Sequence, residues 1–286
     1  VQTLPLSLEL WRWRLAGRTA RLWWRDDDAA GASARLDKLL LIAWETGVPL
    51  TLAAVPTGDM AGLSAMLRLR LATATSRIAV VQHGVDHQNR RSGPAAGEFP
   101  HDWTQDALEI ALRRGWSLIQ GLANAEPIYV PPWNDAHPRL EAALRACGYA
   151  GWSVSGAMAT CGGPAGKRLP RVDAHLDLMR WRGGARFRGR GRFLAALAAE
   201  LRRRRKAGLW DAPIGLLTHH LAHDPASWAF LERFLTWTGR QRTLRWEALP
   251  DLIGEAGERR AANDRPRLGR GPPRLVVATP DKAAGT

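Results

Sequence analysis

Short β-rich apolar runs alternate with longer amphipathic segments along most of the chain, and this alternation limits the possible folds more than any other feature. The runs are Arg21–Arg25, Pro49–Val55, Arg77–Gln82, Pro127–Val130, Gly151–Ser155, Leu176–Trp181 and Ile214–Thr218, and their length and residue types predict strands. Between them Ser33–Thr46, Asp59–Ala74, Thr104–Leu122, Pro138–Cys147, Phe193–Lys206 and Pro225–Trp237 place apolar residues at helical spacing. Gly47, Gly148, Gly208 and Gly239 stand just past four of these helices, where a left-handed cap favours glycine. Repeated strand–helix units imply parallel strands joined by right-handed crossovers. About seven such units favour a barrel over an open doubly wound sheet.

The chain has 286 residues, 45% of them apolar, which is enough to fill a core and excludes disorder of the whole. No run approaches the roughly 18 apolar residues of a membrane span, and Trp11, Arg12, Trp13 and Arg14 break up any signal-like stretch. A cytoplasmic protein is therefore expected. Cys147 and Cys161 are too few for a disulfide framework or a four-thiolate zinc site, so any metal must use mainly histidine and carboxylate. The net charge of +14 is carried almost wholly by arginine. No nucleic-acid recognition motif accompanies it, so the excess reads as a solvated surface, and Arg202–Lys206 suits the negative end of its helix. Residues 254–286, with Pro266, Pro272, Pro273 and Pro280, read as an unstructured tail behind a barrel domain of residues 1–253. No heptad or internal repeat marks an oligomer.

A parallel α/β architecture puts chemistry at the carboxyl ends of its strands, and polar clusters fall there. Asp26, Asp27 and Asp28 follow the first run. Adjacent carboxylates repel unless cations, protons or hydrogen bonds offset them, so they either build a site or cap the helix after Ser33. His83 and His87 follow the third run; on a helical turn their i, i+4 spacing lets both imidazoles grip one ion, with a carboxylate completing the site. His219, His220 and His223 follow the last run and are spaced to form a ligand cluster of their own. Trp23, Trp24, Trp103 and Trp133 are expected on or beside the rim, and the loop Gln88–Asp102, with Arg90, Arg91, Glu98 and His101, as a rim segment that sets ligand choice.

Taken in order, the acidic run, His-x-x-x-His, the Pro131-Pro132-Trp133 turn, Asp177 with Trp181 and Leu216-Leu217-Thr218-His219 resemble the polysaccharide deacetylases of the NodB homology domain, carbohydrate esterase family 4. The likeness spans Arg21 to His223 and marks a divergent branch. It implies a distorted (β/α) barrel of about seven strands, and a metal-dependent hydrolase that removes an N-acetyl or related acyl group from an amino-sugar carbohydrate. Asp28, His83 and His87 would be the metal ligands, with His219 facing their shared point across a void; Asp27 would be the general base and His219 the general acid, approaching from opposite sides. Pro132, Trp133, Asn134, Asp177 and Trp181 would bind substrate or the developing oxyanion. His and carboxylate donors suit Zn2+ first, with Co2+, Ni2+ or Mn2+ feasible.

Three departures stay open at this level. A one-residue slip would make Asp26 and Asp27 the base and ligand, and His220 competes with His219 as the acid. Val130 stands where the family has an arginine that orients the base, and Arg25 is the nearest replacement. A hydrolase of another C–N bond, such as a cyclic amide or ureide, and a non-catalytic carbohydrate-binding barrel are the competing readings.

Overall fold

In the computed structural model the described residues are 3–71, 77–92, 94–156 and 168–264. A helix that the alternation does not announce, α1 (Leu4–Leu15), precedes β1 (Ala20–Ala29). Then follow α2 (Ala34–Thr46), β2 (Leu50–Ala54), α3 (Met60–Leu71), β3 (Ile78–His83), α4 (Gln105–Ile119), β4 (Ala125–Val130), α5 (Leu140–Ala146) and β5 (Gly151–Trp152). The second half runs β6 (Ala174–Asp177), β7 (Met179–Arg180), β8 (Arg186–Phe187), α6 (Arg190–Lys206), β9 (Ile214–Thr218), α7 (Pro225–Gly239), β10 (Leu244–Trp246) and α8 (Leu249–Asp264).

Side chains start the helices where the sequence suggests. Ser33, Thr104 and Asp224 each accept the N–H three residues on, which satisfies a donor the helix leaves free. Gly47 ends α2 with φ 66°, a conformation that costs glycine little. Gly239 instead stays inside α7, which is capped by Arg240.

Seven strands lie in the spatial order β5-β4-β3-β2-β1-β9-β6, all parallel, with β10 added beside the start of β1. The two edges meet through irregular parallel bridges, Trp152 to Arg171 and Ser155 to Ala174, so the sheet is a distorted barrel. The expected strand Leu176–Trp181 divides. Asp177 Oδ1 accepts the amide of Met179 at 2.8 Å and ends β6 there, after which β7 and β8 form a small antiparallel pair. The boundary expected at residue 253 falls within α8, which continues to Asp264. Its apolar first turns, with Leu249, Leu252 and Ile253 buried, anchor the helix past the expected limit. Residues 265–286 and Cys161 lie outside the described residues. No helix among the described residues is long and apolar enough to cross a membrane.

The sheet's outer face is covered by a cluster that includes Leu22, Trp24, Leu36, Leu40, Phe193, Leu197 and Leu231. The barrel interior holds Trp23, Ala53, Val81, Ile128, Val130 and Leu217, with the three residues of α8 packed against them. Alternation along β1 therefore sends Trp23 inward and Trp24 outward. Both indoles are almost fully buried, so neither is at the rim where both were expected: a strand flanked by barrel interior on one side and helices on the other buries both faces.

Candidate active site

Strand alternation sorts the aspartates. Arg25 and Asp27 share the inward side of β1 with Trp23, while Asp26 shares the outward side with Trp24. Asp28 would point outward too, but the pairing of β1 with β2 shifts between Asp26 and Ala29, and Asp28 adopts φ 71°. The bulge re-aims its side chain. Three consecutive carboxylates thereby reach three different partners, which relieves the repulsion the sequence poses.

Asp26 is sealed away. Its Oδ2 accepts from Thr218 Oγ1 at 2.6 Å and from the His220 amide at 3.0 Å, and its Oδ1 lies 2.5 Å from His220 Nδ1. Burial alone would raise its pKa, but the positive potential of His220 outweighs this and lowers it. Asp26 and His220 are thus committed to each other and to Thr218, away from Asp28, His83 and His87.

Asp27 faces the fully buried Arg25, with Nε 2.8 Å from Oδ1 and a second guanidinium nitrogen 3.0 Å from Oδ2. Ser153 Oγ and Asn134 Oδ1 hold that guanidinium at 2.8 and 2.9 Å. The cation beside Asp27 therefore comes from β1 itself. Asn134, expected to touch substrate, spends its carbonyl on Arg25.

Asp28 meets both histidines of the third motif. His83 Nε2 and His87 Nε2 each lie 3.2 Å from Asp28 Oδ1, and the three donor atoms fall within 4.8 Å of one another. They are not on one helical turn as the spacing suggested. His83 ends β3, and His87 sits in the following loop with φ 54°; Gly84, at φ 62°, lets the chain turn back between them. His83 Nδ1 lies 3.1 Å from the Val130 carbonyl. With its proton donated there, Nε2 of the neutral ring presents a lone pair to a carboxylate oxygen, an arrangement that calls for a cation or a proton between them. Burial opposes charge on His83, but Asp27 and Asp28 outweigh it and raise its pKa. Burial likewise works against the Asp28 carboxylate, yet the two imidazoles hold its pKa well below the usual range. Two imidazole nitrogens, each 3.2 Å from one carboxylate oxygen, make a donor set that could hold a metal ion.

His219 Nε2 stands 3.9 Å from Asp27 Oδ2. The two are neighbours, because adjacent strands β1 and β9 carry them at nearly the same level. At that distance they share no hydrogen bond. Trp181 sets its ring edge-on to His219, centroids 4.6 Å apart, and donates from Nε1 to Asp177 Oδ2 at 2.7 Å. Burial raises the Asp177 pKa against the opposing pull of His219. On the other side Trp133, with φ 54°, lies 4.4 Å from the His87 ring and is 40% exposed. Pro132 is buried beside Gly84. His223 does not join a ligand cluster: it is buried against Trp228, and burial pushes its pKa down to about 4.

Two participants have no signature in the sequence. Ser153 is an ordinary serine after a two-residue strand, and Glu98, named only as part of a rim loop, turns inward with 2% exposure. Its carboxylate accepts the backbone N–H groups of Val85, Asp86 and His87.

No protein-family model matches the chain, and no curated protein matches its sequence. Among solved structures, one provisionally assigned as a polysaccharide deacetylase from Mycobacterium smegmatis superposes with a TM-score of 0.63 over 85% of this chain and 92% of that one, at 17% identity. This chain has the polysaccharide deacetylase fold. A family 4 carbohydrate esterase from Streptomyces lividans, solved with acetate, is also similar, with a TM-score of 0.49 over 80% of this chain and 92% of that one at 14% identity. Within the deacetylase fold, the residues described above occupy the strand ends at which the barrel gathers its polar groups.

Proposed function

We propose that the protein is a metal-dependent hydrolase that removes an N-acetyl or related acyl group from an amino-sugar-containing carbohydrate. The observation that carries this reading is the convergence of Asp28, His83 and His87 donor atoms within 4.8 Å, beside a carboxylate and an imidazole that are not hydrogen-bonded to each other. The deacetylase fold supports the choice of carbohydrate.

An amide is a weak electrophile with a poor leaving group, so hydrolysis needs help at the water, the acyl oxygen and the nitrogen. A divalent ion held by Asp28, His83 and His87 would acidify the water and polarise the acyl oxygen. Asp27 takes the proton of the attacking water: each of its oxygens keeps a lone pair beyond the one directed at Arg25. Arg25 holds that carboxylate in one orientation through its paired contacts. His219 protonates the departing amine from Nε2, its ring steadied by Trp181. In the Pro131–Asp135 turn the amides of Asn134 and Asp135 are taken by the carbonyls of Pro131 and Pro132, so the donor to the charged acyl oxygen is assigned to the amide of Trp133. The exposed faces of Trp133 and Trp181 offer the sugar two apolar walls.

The test is acetate release from N-acetylglucosamine oligomers by protein loaded with Zn2+ or Co2+, with a cyclic amide assayed in parallel. Acetate production that stops on chelation and returns with metal is expected. Turnover of the cyclic amide alone would overturn the carbohydrate assignment, and turnover unaffected by chelation would overturn the metal.

A further inference from the structure

We propose that Glu98 is a positioning residue: its buried carboxylate holds the backbone that presents His87, and so sets the affinity of the site for a divalent ion. This rests on the metal reading of Asp28, His83 and His87. The two histidines are held in place by different means. His83 is fixed by the ladder of β3 with β2 and β4 and by the Val130 carbonyl. His87 has no strand or helix around it, and its φ of 54° is one that a side-chain-bearing residue keeps only when its surroundings enforce it.

Glu98 supplies the enforcement. Its Oε1 accepts from the amides of Val85, Asp86 and His87 at 2.9, 2.8 and 2.8 Å, and Oε2 from Val85 again at 3.0 Å. Three successive N–H groups converge on one carboxylate, a concave anion cradle closed by the protein itself. Gly84 is required for the approach, because a Cβ there would lie 2.4 Å from Glu98 Oε2. The loop in turn holds Glu98. Asn89 Oδ1 accepts the amides of Arg91 and Gly97, and Arg91 reaches the Phe99 carbonyl at 3.1 Å and Asp135 Oδ1 at 2.6 Å, tying the loop to the Trp133 turn. Glu98 thus braces one of the three donor residues, with Asn89 and Arg91 holding the backbone around it.

The experiment is Co2+ titration of the full chain, followed by visible absorption and by circular dichroism of the metal-free protein. Glu98→Ala is expected to weaken Co2+ binding about 10- to 100-fold, the range for residues that orient metal ligands, and to alter the cobalt spectrum. Glu98→Gln, which keeps one acceptor oxygen and the side-chain volume, is expected to fold normally and lose less. Combined with His87→Ala, Glu98→Ala should add little further loss, because both changes remove the same contact. Wild-type affinity and spectrum in a folded Glu98→Ala or Glu98→Gln protein, or losses that simply add to those of His87→Ala, would overturn the role of Glu98. Failure of the wild type to bind Co2+ would instead overturn the metal reading beneath it.

Discussion

Two carboxylate–histidine clusters lie two residues apart on β1, and they have opposite characters. Asp26 with His220 is closed: the side chains are 0% and 1% exposed, and the carboxylate is already satisfied by Thr218 and two groups of His220. Asp28 with His83 and His87 is open on one side, with Asp28 31% and His87 27% exposed, and its donor atoms face each other. The same residue types make a structural tie in one place and a candidate ion site in the other. What separates them is which face of the strand they leave from, and whether their lone pairs are spent.

The largest effect should come from removing a donor in the open cluster. His83→Ala is expected to lose bound metal and, with it, all acetate release above background; metal analysis of the purified variant beside wild type checks both. Asp27→Asn should keep its metal and lose about 10²- to 10⁴-fold in turnover, the usual worth of a positioned base, so the ratio of activity to metal content separates these two roles. An Asp27→Asn protein as active as wild type would remove the base from the open cluster.

The closed cluster should answer in stability. Asp26→Ala strands His220 in the interior and is expected to cost about 3–5 kcal/mol in urea unfolding, as for loss of one partner of a buried pair, while binding metal as before. Acid should reveal the same region. His223 titrates near 4 in the folded state because burial disfavours its charge, against about 6.5 when unfolded. Between those values the unfolded chain binds the extra proton, so stability is full above about pH 6.5 and falls as pH drops toward 4, by about 1.4 kcal/mol per unit for this one group. His223→Gln should flatten that slope in unfolding curves measured at pH 7.5, 6 and 5. The smallest change belongs to Trp133→Ala, which should raise KM several-fold and leave both kcat and unfolding nearly unaltered, because the indole is partly exposed and bonded to nothing in the described residues that the fold needs.

Much of this was legible in the chain. The strand Ile214–Thr218 is where the apolar run predicts it, and the helix starts at Ser33, Thr104 and Asp224 follow from side chains that cap within three residues. Asp28, His83 and His87, all three singled out in the sequence, bring their donor atoms within 4.8 Å of one another. Local spacing misled where a loop does the work: His83 and His87 look like a helical pair, but a glycine turn brings them together. Trp23 and Trp24 look like rim residues because they precede the acidic run, yet strands covered on both faces bury such side chains. The contributions of Ser153 and Glu98 come from segments far along the chain, and no periodicity or spacing carries them.

Strand and helix periodicity are local properties of the chain, so the order of these elements, and with it the end of the barrel where polar residues gather, can be read without the fold. Which of three consecutive aspartates meets which partner, that His219 and not His220 faces Asp27, and that Arg25 is the cation beside Asp27 emerge only in three dimensions. Those outcomes depend on a bulge at the end of β1 and on the register of β1 against β9. Register is set by how distant segments pair, and neighbouring residues cannot encode it alone.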